Sequence, residues 1–160
     1  MLVGIISDTH NEYFRTRLAM EKFAELGVEA VIHCGDLTSQ GIVQELAALP
    51  AYIVFGNCDP IEDVKYAARK YNVNCLGDGG TIELGGRLLA VTHSHSNAEV
   101  KRLLDLKPDY LFSGHSHIAN EWTEGETRRI NPGALHRANK YTVGVLNTET
   151  DEFQFIEIPR

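Results

Sequence analysis

At 160 residues the chain has room for one ordinary domain, read here as a single unit over 1–160, with a core that needs no disulfide staple. Its composition, 43% hydrophobic and 23% charged with no apolar run long enough to cross a bilayer, excludes the membrane-spanning and disordered classes. A net charge of −7 argues against extended nucleic acid as a partner, because backbone binding rests on clustered Lys and Arg. The local basic groups, Lys101-Arg102, Arg128-Arg129 and Arg137 with Lys140, read as a solvated helix face and a hairpin surface.

The chain starts directly on a strand pattern, Met1-Leu2-Val3-Gly4-Ile5-Ile6, with neither a basic flank nor a small-residue cleavage site, so a cytoplasmic address is expected. Cys34, Cys58 and Cys75 are odd in number and form no CxxC pair, which fits a reducing compartment and offers no thiolate zinc site. From Tyr13 to Leu26, Phe14, Leu18, Ala19, Phe23 and Leu26 recur at helical spacing, and Gly27 ends the run. A strand into Gly35, a helix from about Ser39 to Leu49 stopped by Pro50, a strand into Phe55 and a helix opening at Pro60 complete a βαβαβα unit. Right-handed crossovers then give a parallel sheet whose strand ends share one rim.

The second part is richer in strands. Thr81 to Leu84 and Arg87 to Thr92 flank Gly85-Gly86 as a hairpin, and Asn97 to Leu106 is a helix. A strand runs into Gly114, a hairpin turns near Glu124-Gly125-Glu126, and Tyr141 to Asn147 pairs with Glu152 to Ile158. Two mixed β-sheets stacked face to face with flanking helices, a four-layer αββα sandwich of the α/β class, is the predicted architecture.

Five of the seven histidines fall in Asp8-Thr9-His10, His93-Ser94-His95 and Gly114-His115-Ser116-His117, with Gly35-Asp36 and Gly56-Asn57 between them. Each block follows an apolar strand pattern, and sites in open α/β sheets form where strands end. Alone, each motif is a common turn or cap. Together, imidazole, carboxylate and carboxamide are the donors that hold divalent first-row metals without thiolate. His33 and His136 match no such position and read as structural.

The ordered set DTH, GD, GNCD, HSH and GHSH resembles the calcineurin-like metallophosphoesterase superfamily over nearly the whole chain, and the short length with the late Asn131-Pro132-Gly133 is similar to its small bacterial and archaeal phosphodiesterases. The resemblance implies the metallophosphoesterase fold, a hydrolase acting on small phosphodiesters or phosphate esters, and a homodimer. It assigns Asp8, His10, Asp36 and His117 to one metal, and Asp36, Asn57, His93 and His115 to a second, with Asp36 bridging. Two such divalent ions share a bridging hydroxide that attacks phosphorus. Manganese is the metal the resemblance implies, while the donor set also accepts Ni, Fe, Co or Zn.

Cys58 stands where many members place a histidine that protonates the leaving group, and a thiol with a reference pKa near 8.5 is a poor substitute. His95 is the nearest candidate proton donor, weighed against an orienting role. Asp36 is the other catalytic candidate. The alternatives to a phosphodiesterase are a non-catalytic protein-binding scaffold, as in the small retromer subunit that the fold also resembles, and a nuclease.

Overall fold

The computed structural model describes residues 1–160. Three βα units open the chain. Strands β1 (Leu2–Ile6), β2 (Ala30–His33) and β3 (Ala51–Ile53) alternate with helices α1 (Tyr13–Leu26), α2 (Gln40–Leu46) and α3 (Ile61–Tyr71). The strands are parallel, with Val3 opposite Ala30 and Val31 opposite Ala51. Ser39 caps α2 by accepting the Ile42 N–H, and α3 is entered through Pro60. A two-residue strand that the sequence pattern did not foretell, β4 (Asn74–Cys75), adds parallel to β3.

The rest builds a second sheet and then returns to the first. Strands β5 (Gly79–Leu84) and β6 (Arg87–Thr92) form the Gly85-Gly86 hairpin, followed by α4 (Asn97–Leu104), β7 (Tyr110–Phe112), β8 (Asn120–Glu124) and β9 (Thr127–Asn131). Strands β10 (Tyr141–Asn147) and β11 (Phe153–Ile158) go back to the first sheet, β10 lying antiparallel against β1. The orders are β11-β10-β1-β2-β3-β4 and β5-β6-β7-β9-β8, both mixed.

Alternation along β1 shows how the layers form. Val3 and Ile5 face the second sheet and pack with Ile32, Leu89, Val91, Phe112 and Ile130, while Ile6 faces the helices and packs with Phe23, Ile42 and Val64. Leu103 of α4 buries against Ala90 and Leu111 on the far side of the second sheet. Burying each such side chain contributes about 1.5–3 kcal/mol. The layers are therefore α1–α3, sheet, sheet, α4, as the residue pattern predicted. One helix face is shifted: α1 buries Thr16, Ala19, Met20 and Phe23, whereas Phe14 stays exposed. Phe14 lies beyond the stripe centred on Ala19 and Phe23, so its apolar character did not mark burial. No helix is long and apolar enough to cross a membrane.

Candidate metal centre

The ends of β1, β2, β6 and β7 run into loops that bend back sharply. Asp8, His10, Asp36, His115 and His117 all have left-handed φ, between 41° and 71°. For residues with a Cβ this costs about 1–2 kcal/mol each, and it persists where surrounding bonds over-determine the conformation. Those bonds are present. The N–H of Asp8 donates to the Gly35 carbonyl, that of His10 to the Asp36 carbonyl, and that of Leu135 to the Asp8 carbonyl.

The two carboxylates are oriented through one oxygen each. Asp8 Oδ2 accepts from Ser7 Oγ at 2.6 Å and from the His115 N–H at 3.0 Å, leaving Oδ1 buried with no hydrogen-bond partner. Asp36 Oδ1 accepts the Cys58 N–H at 2.9 Å, and Oδ2 lies 3.3 Å from His10 Nε2 and 3.2 Å from His93 Nε2. Two glycines allow this packing. A Cβ on Gly56 would stand 2.0 Å from Asp36 Oδ1, and one on Gly114 would stand 2.0 Å from Ser7 Oγ and 2.5 Å from Asp8 Oδ2.

The imidazoles are oriented by their other nitrogen. His93 Nδ1 is 2.8 Å from the Cys34 carbonyl oxygen, which can only accept, so Nδ1 carries the proton and Nε2 presents its lone pair to the carboxylates. His117 is set the same way by the Arg137 carbonyl at 3.4 Å, and its Nε2 is 3.1 Å from Asp8 Oδ1. His10 Nε2 and His93 Nε2 are buried without hydrogen-bond partners. Asp8, His10 and His117 offer ligand atoms within 4.8 Å of one another, as do Asp8, Asp36 and His93. Orphaned buried carboxylate and imidazole atoms converging in this way are costly unless a cation completes them, so the donor set fits divalent metal.

The carboxylates and imidazoles of this cluster shift one another's ionisation strongly. Burial alone raises the Asp36 pKa, but the adjacent His93, the Cys58 N–H and the nearby His10 hold it well below the usual carboxylate range. Burial lowers the His93 pKa, yet Asp36 and Asp8 beside it raise it overall. Burial lowers that of His10 despite the same two carboxylates.

The remaining sequence candidates gather round this core in two sets. His10 and His117 have ring centroids 5.4 Å apart on one side, and His93 and His115 5.1 Å apart on the other. His95 is exposed, 5.5 Å from the His93 ring and 6.3 Å from that of His115, turned there by Ser94 at φ 74°. Asn57 is exposed, with its carboxamide nitrogen 3.5 Å from Cys58 Sγ. The Cys58 thiol lies within reach of His10 and Asp36, its pKa raised by partial burial and by Asp36.

Three contributors were given no role at the site from sequence. Asp59 accepts the N–H groups of Gly56 at 2.8 Å, Asp36 at 2.9 Å and Thr38 at 2.7 Å, tying the GD and GNCD loops together. Its position as the last residue of GNCD was the available signal. Asn131 donates to the Gly114 carbonyl and to Ser116 Oγ, fixing the GHSH loop. His136, read as structural, does bond Glu12 at 2.9 Å, but its ring also lies 4.8 Å from that of His10. His33 is structural as expected: it accepts the Gly35 N–H through Nδ1 and meets Thr9 Oγ1 through Nε2.

A family model described as the calcineurin-like phosphoesterase superfamily domain matches residues 1–151. Phosphodiesterase MJ0936 of Methanocaldococcus jannaschii is 31% identical over 163 residues, spanning 98% of both chains. A solved archaeal phosphodiesterase has a TM-score of 0.88 at 28% identity, with 99% of this chain and 100% of the other covered. Vps29 of Entamoeba histolytica in complex with zinc has a TM-score of 0.65 at 20% identity, covering 98% of this chain and 91% of that one, a likeness of fold alone.

Proposed function

This chain belongs to the calcineurin-like phosphoesterase superfamily and is a metal-dependent phosphoric ester hydrolase, and we propose that it is a phosphodiesterase that works with two divalent ions on small phosphodiesters. The observation that carries this reading is the convergence of Asp8 Oδ1, His10 Nε2 and His93 Nε2, all buried and unpartnered, around Asp36 Oδ2. The pairing of His10 with His117 and of His93 with His115 supports a division into two ligand sets: Asp8, His10, Asp36 and His117 in one, Asp36, Asn57, His93 and His115 in the other. Asp36 Oδ2, between His10 and His93, is the atom suited to serve both. Manganese is the first choice of metal, with Ni, Fe, Co and Zn compatible with the donors. When bound, such a pair acidifies a water to near neutral pH and offsets charge on the phosphoryl oxygens.

The chain's own groups supply the rest. The carbonyls of Cys34 and Arg137 keep His93 and His117 in the tautomer that offers Nε2. Asp59 and the Cys58 N–H hold Asp36 in place. On this reading His95, exposed beside His93 and His115, donates a proton to the departing alkoxide, a role its nearness to those two rings supports. The phosphodiesterase name of MJ0936 supports the choice of diesters as substrates.

Metal analysis and hydrolysis of bis(p-nitrophenyl) phosphate test the reading. Purified protein reloaded with manganese should hold two ions per chain and lose turnover on chelation. Asp36→Asn should cut metal content and lower kcat at least about a thousandfold, about 4 kcal/mol, with the fold retained. A protein with at most substoichiometric metal and no metal-dependent hydrolysis would be a scaffold.

A further inference from the structure

Beside His117 the surface opens into a cavity of about 350 Å³ between the 116–119 loop and the 137–140 loop. Both walls are fixed. The His117 ring bonds the Arg137 carbonyl across the gap, Asn131 holds Ser116 Oγ at 3.0 Å, Ser116 Oγ in turn accepts the Ile118 N–H, and Thr142 Oγ1 donates to the Pro132 carbonyl at 2.7 Å. The cavity is therefore preformed, and it shares a residue with the metal centre.

Its lining has two characters. Ile118, 67% exposed, with Ala119 and Ala138, supplies an apolar patch. Arg137 and Lys140 supply cations. Lys140 is 3.2 Å from Glu157, but none of the arginine ion pairs in the structure involves Arg137. Read from sequence, these two were surface charge. In a protein of net charge −7, an arginine free of carboxylates beside a candidate metal ligand is instead suited to an anion, since its planar fork matches phosphate or carboxylate oxygens.

We propose that this cavity seats the retained esterifying group of the substrate and that Arg137 binds a second anionic group carried on it. The substrate class becomes a phosphodiester whose sugar-like or aliphatic body lies on Ile118, Ala119 and Ala138 and bears a further phosphate or carboxylate. The assignment rests on the phosphodiesterase reading of the metal centre, and it adds the specificity of one side of the scissile bond.

A matched pair of probes tests it: thymidine 5′-(p-nitrophenyl phosphate), and the same compound carrying a 3′-phosphate. Both release nitrophenolate, so the leaving group is constant and only the second anion differs. With metal-loaded protein at low salt, the ratio of kcat/KM for the phosphorylated over the plain probe should be about two- to fivefold, the scale of one exposed charge-assisted contact. It should fall as ionic strength rises. Arg137→Gln should bring the ratio to near one, and Arg137→Lys should restore part of it. A wild-type ratio at or below one, or a ratio unchanged in Arg137→Gln, overturns the assignment while leaving the phosphodiesterase reading intact. Failure of the loaded wild-type protein to cleave either probe while it still hydrolyses bis(p-nitrophenyl) phosphate overturns the assignment alone, and failure on all three overturns the phosphodiesterase reading and the assignment with it.

Discussion

His33 is the residue whose ionisation should weigh most visibly on stability. It is completely buried, its Nδ1 accepts the Gly35 N–H at 3.1 Å, and its Nε2 lies 3.0 Å from Thr9 Oγ1. Protonating Nδ1 destroys an acceptor and places a charge where water cannot reach it. Burial, reinforced by the neighbouring His93, lowers its pKa from 6.5 to about 3. The unfolded chain therefore binds a proton here that the folded chain refuses, and stability falls as pH drops below 6.5, levelling off only near 3. At pH 5, about 1.5 pH units below the unfolded-state pKa of 6.5, the loss is about 2 kcal/mol. His33→Asn keeps an acceptor for Gly35 but cannot titrate. It should cost about 1–3 kcal/mol at pH 7.5 through the lost Thr9 contact and lost volume. The gap between wild type and variant should then narrow by about 2 kcal/mol between pH 7.5 and 5. Urea unfolding in chelator, followed by far-UV circular dichroism across that range, reads this directly, and other titrating groups largely cancel in the comparison. A gap that stays constant, or widens, would refute the argument that His33 is held neutral.

Asp59→Asn removes the charge from a carboxylate that binds three backbone N–H groups, so metal affinity measured by competition with a chelator should fall about 10- to 100-fold; an unchanged affinity would show that the loop holds without it. Cys58→Ser should leave metal content intact and slow turnover less than about tenfold, about 1.4 kcal/mol, and a trapped phosphocysteine would contradict the neighbour role given to this thiol. His95→Asn should barely affect bis(p-nitrophenyl) phosphate and slow alkyl diesters about 10²–10⁴-fold, because only a basic alkoxide needs proton donation; equal losses on both substrates would make His95 an orienting residue.

Much of the fold was legible because sheet and helix periods repeat cleanly. The apolar run before Asp8, the start of α2 near Ser39 and the Gly85-Gly86 turn each sit where the pattern placed them, although α2 ends at Leu46 rather than Leu49. The short β4 has no apolar alternation, since Asn74 and Cys75 are both exposed, and its pairing with β3 is a tertiary event. At the site, residue types and order pointed to Asp8, His10, Asp36, His93 and His117, which the structure draws into overlapping groups, Asp8 with His10 and His117 and Asp8 with Asp36 and His93, while His115, named for the same centre, belongs to neither. His136 was not legible as a neighbour of His10, because 126 residues separate them and only the loop following β9 returns it there. Asp59 was quoted within GNCD, yet its work is done on backbone N–H groups, and no residue type marks those in a sequence.

The sheet order β11-β10-β1-β2 has a consequence for biosynthesis. Made from the N-terminus, β1 gains β2 early but keeps its other edge open until residues 141–147 have left the ribosome. An unpaired hydrophobic edge is an aggregation hazard, and distant pairings form slowly. The GHSH loop, fixed by Asn131, is also completed only from the late part of the chain. The open edge of β1 is thus closed, and the candidate metal centre completed, only when the C-terminal strands are available.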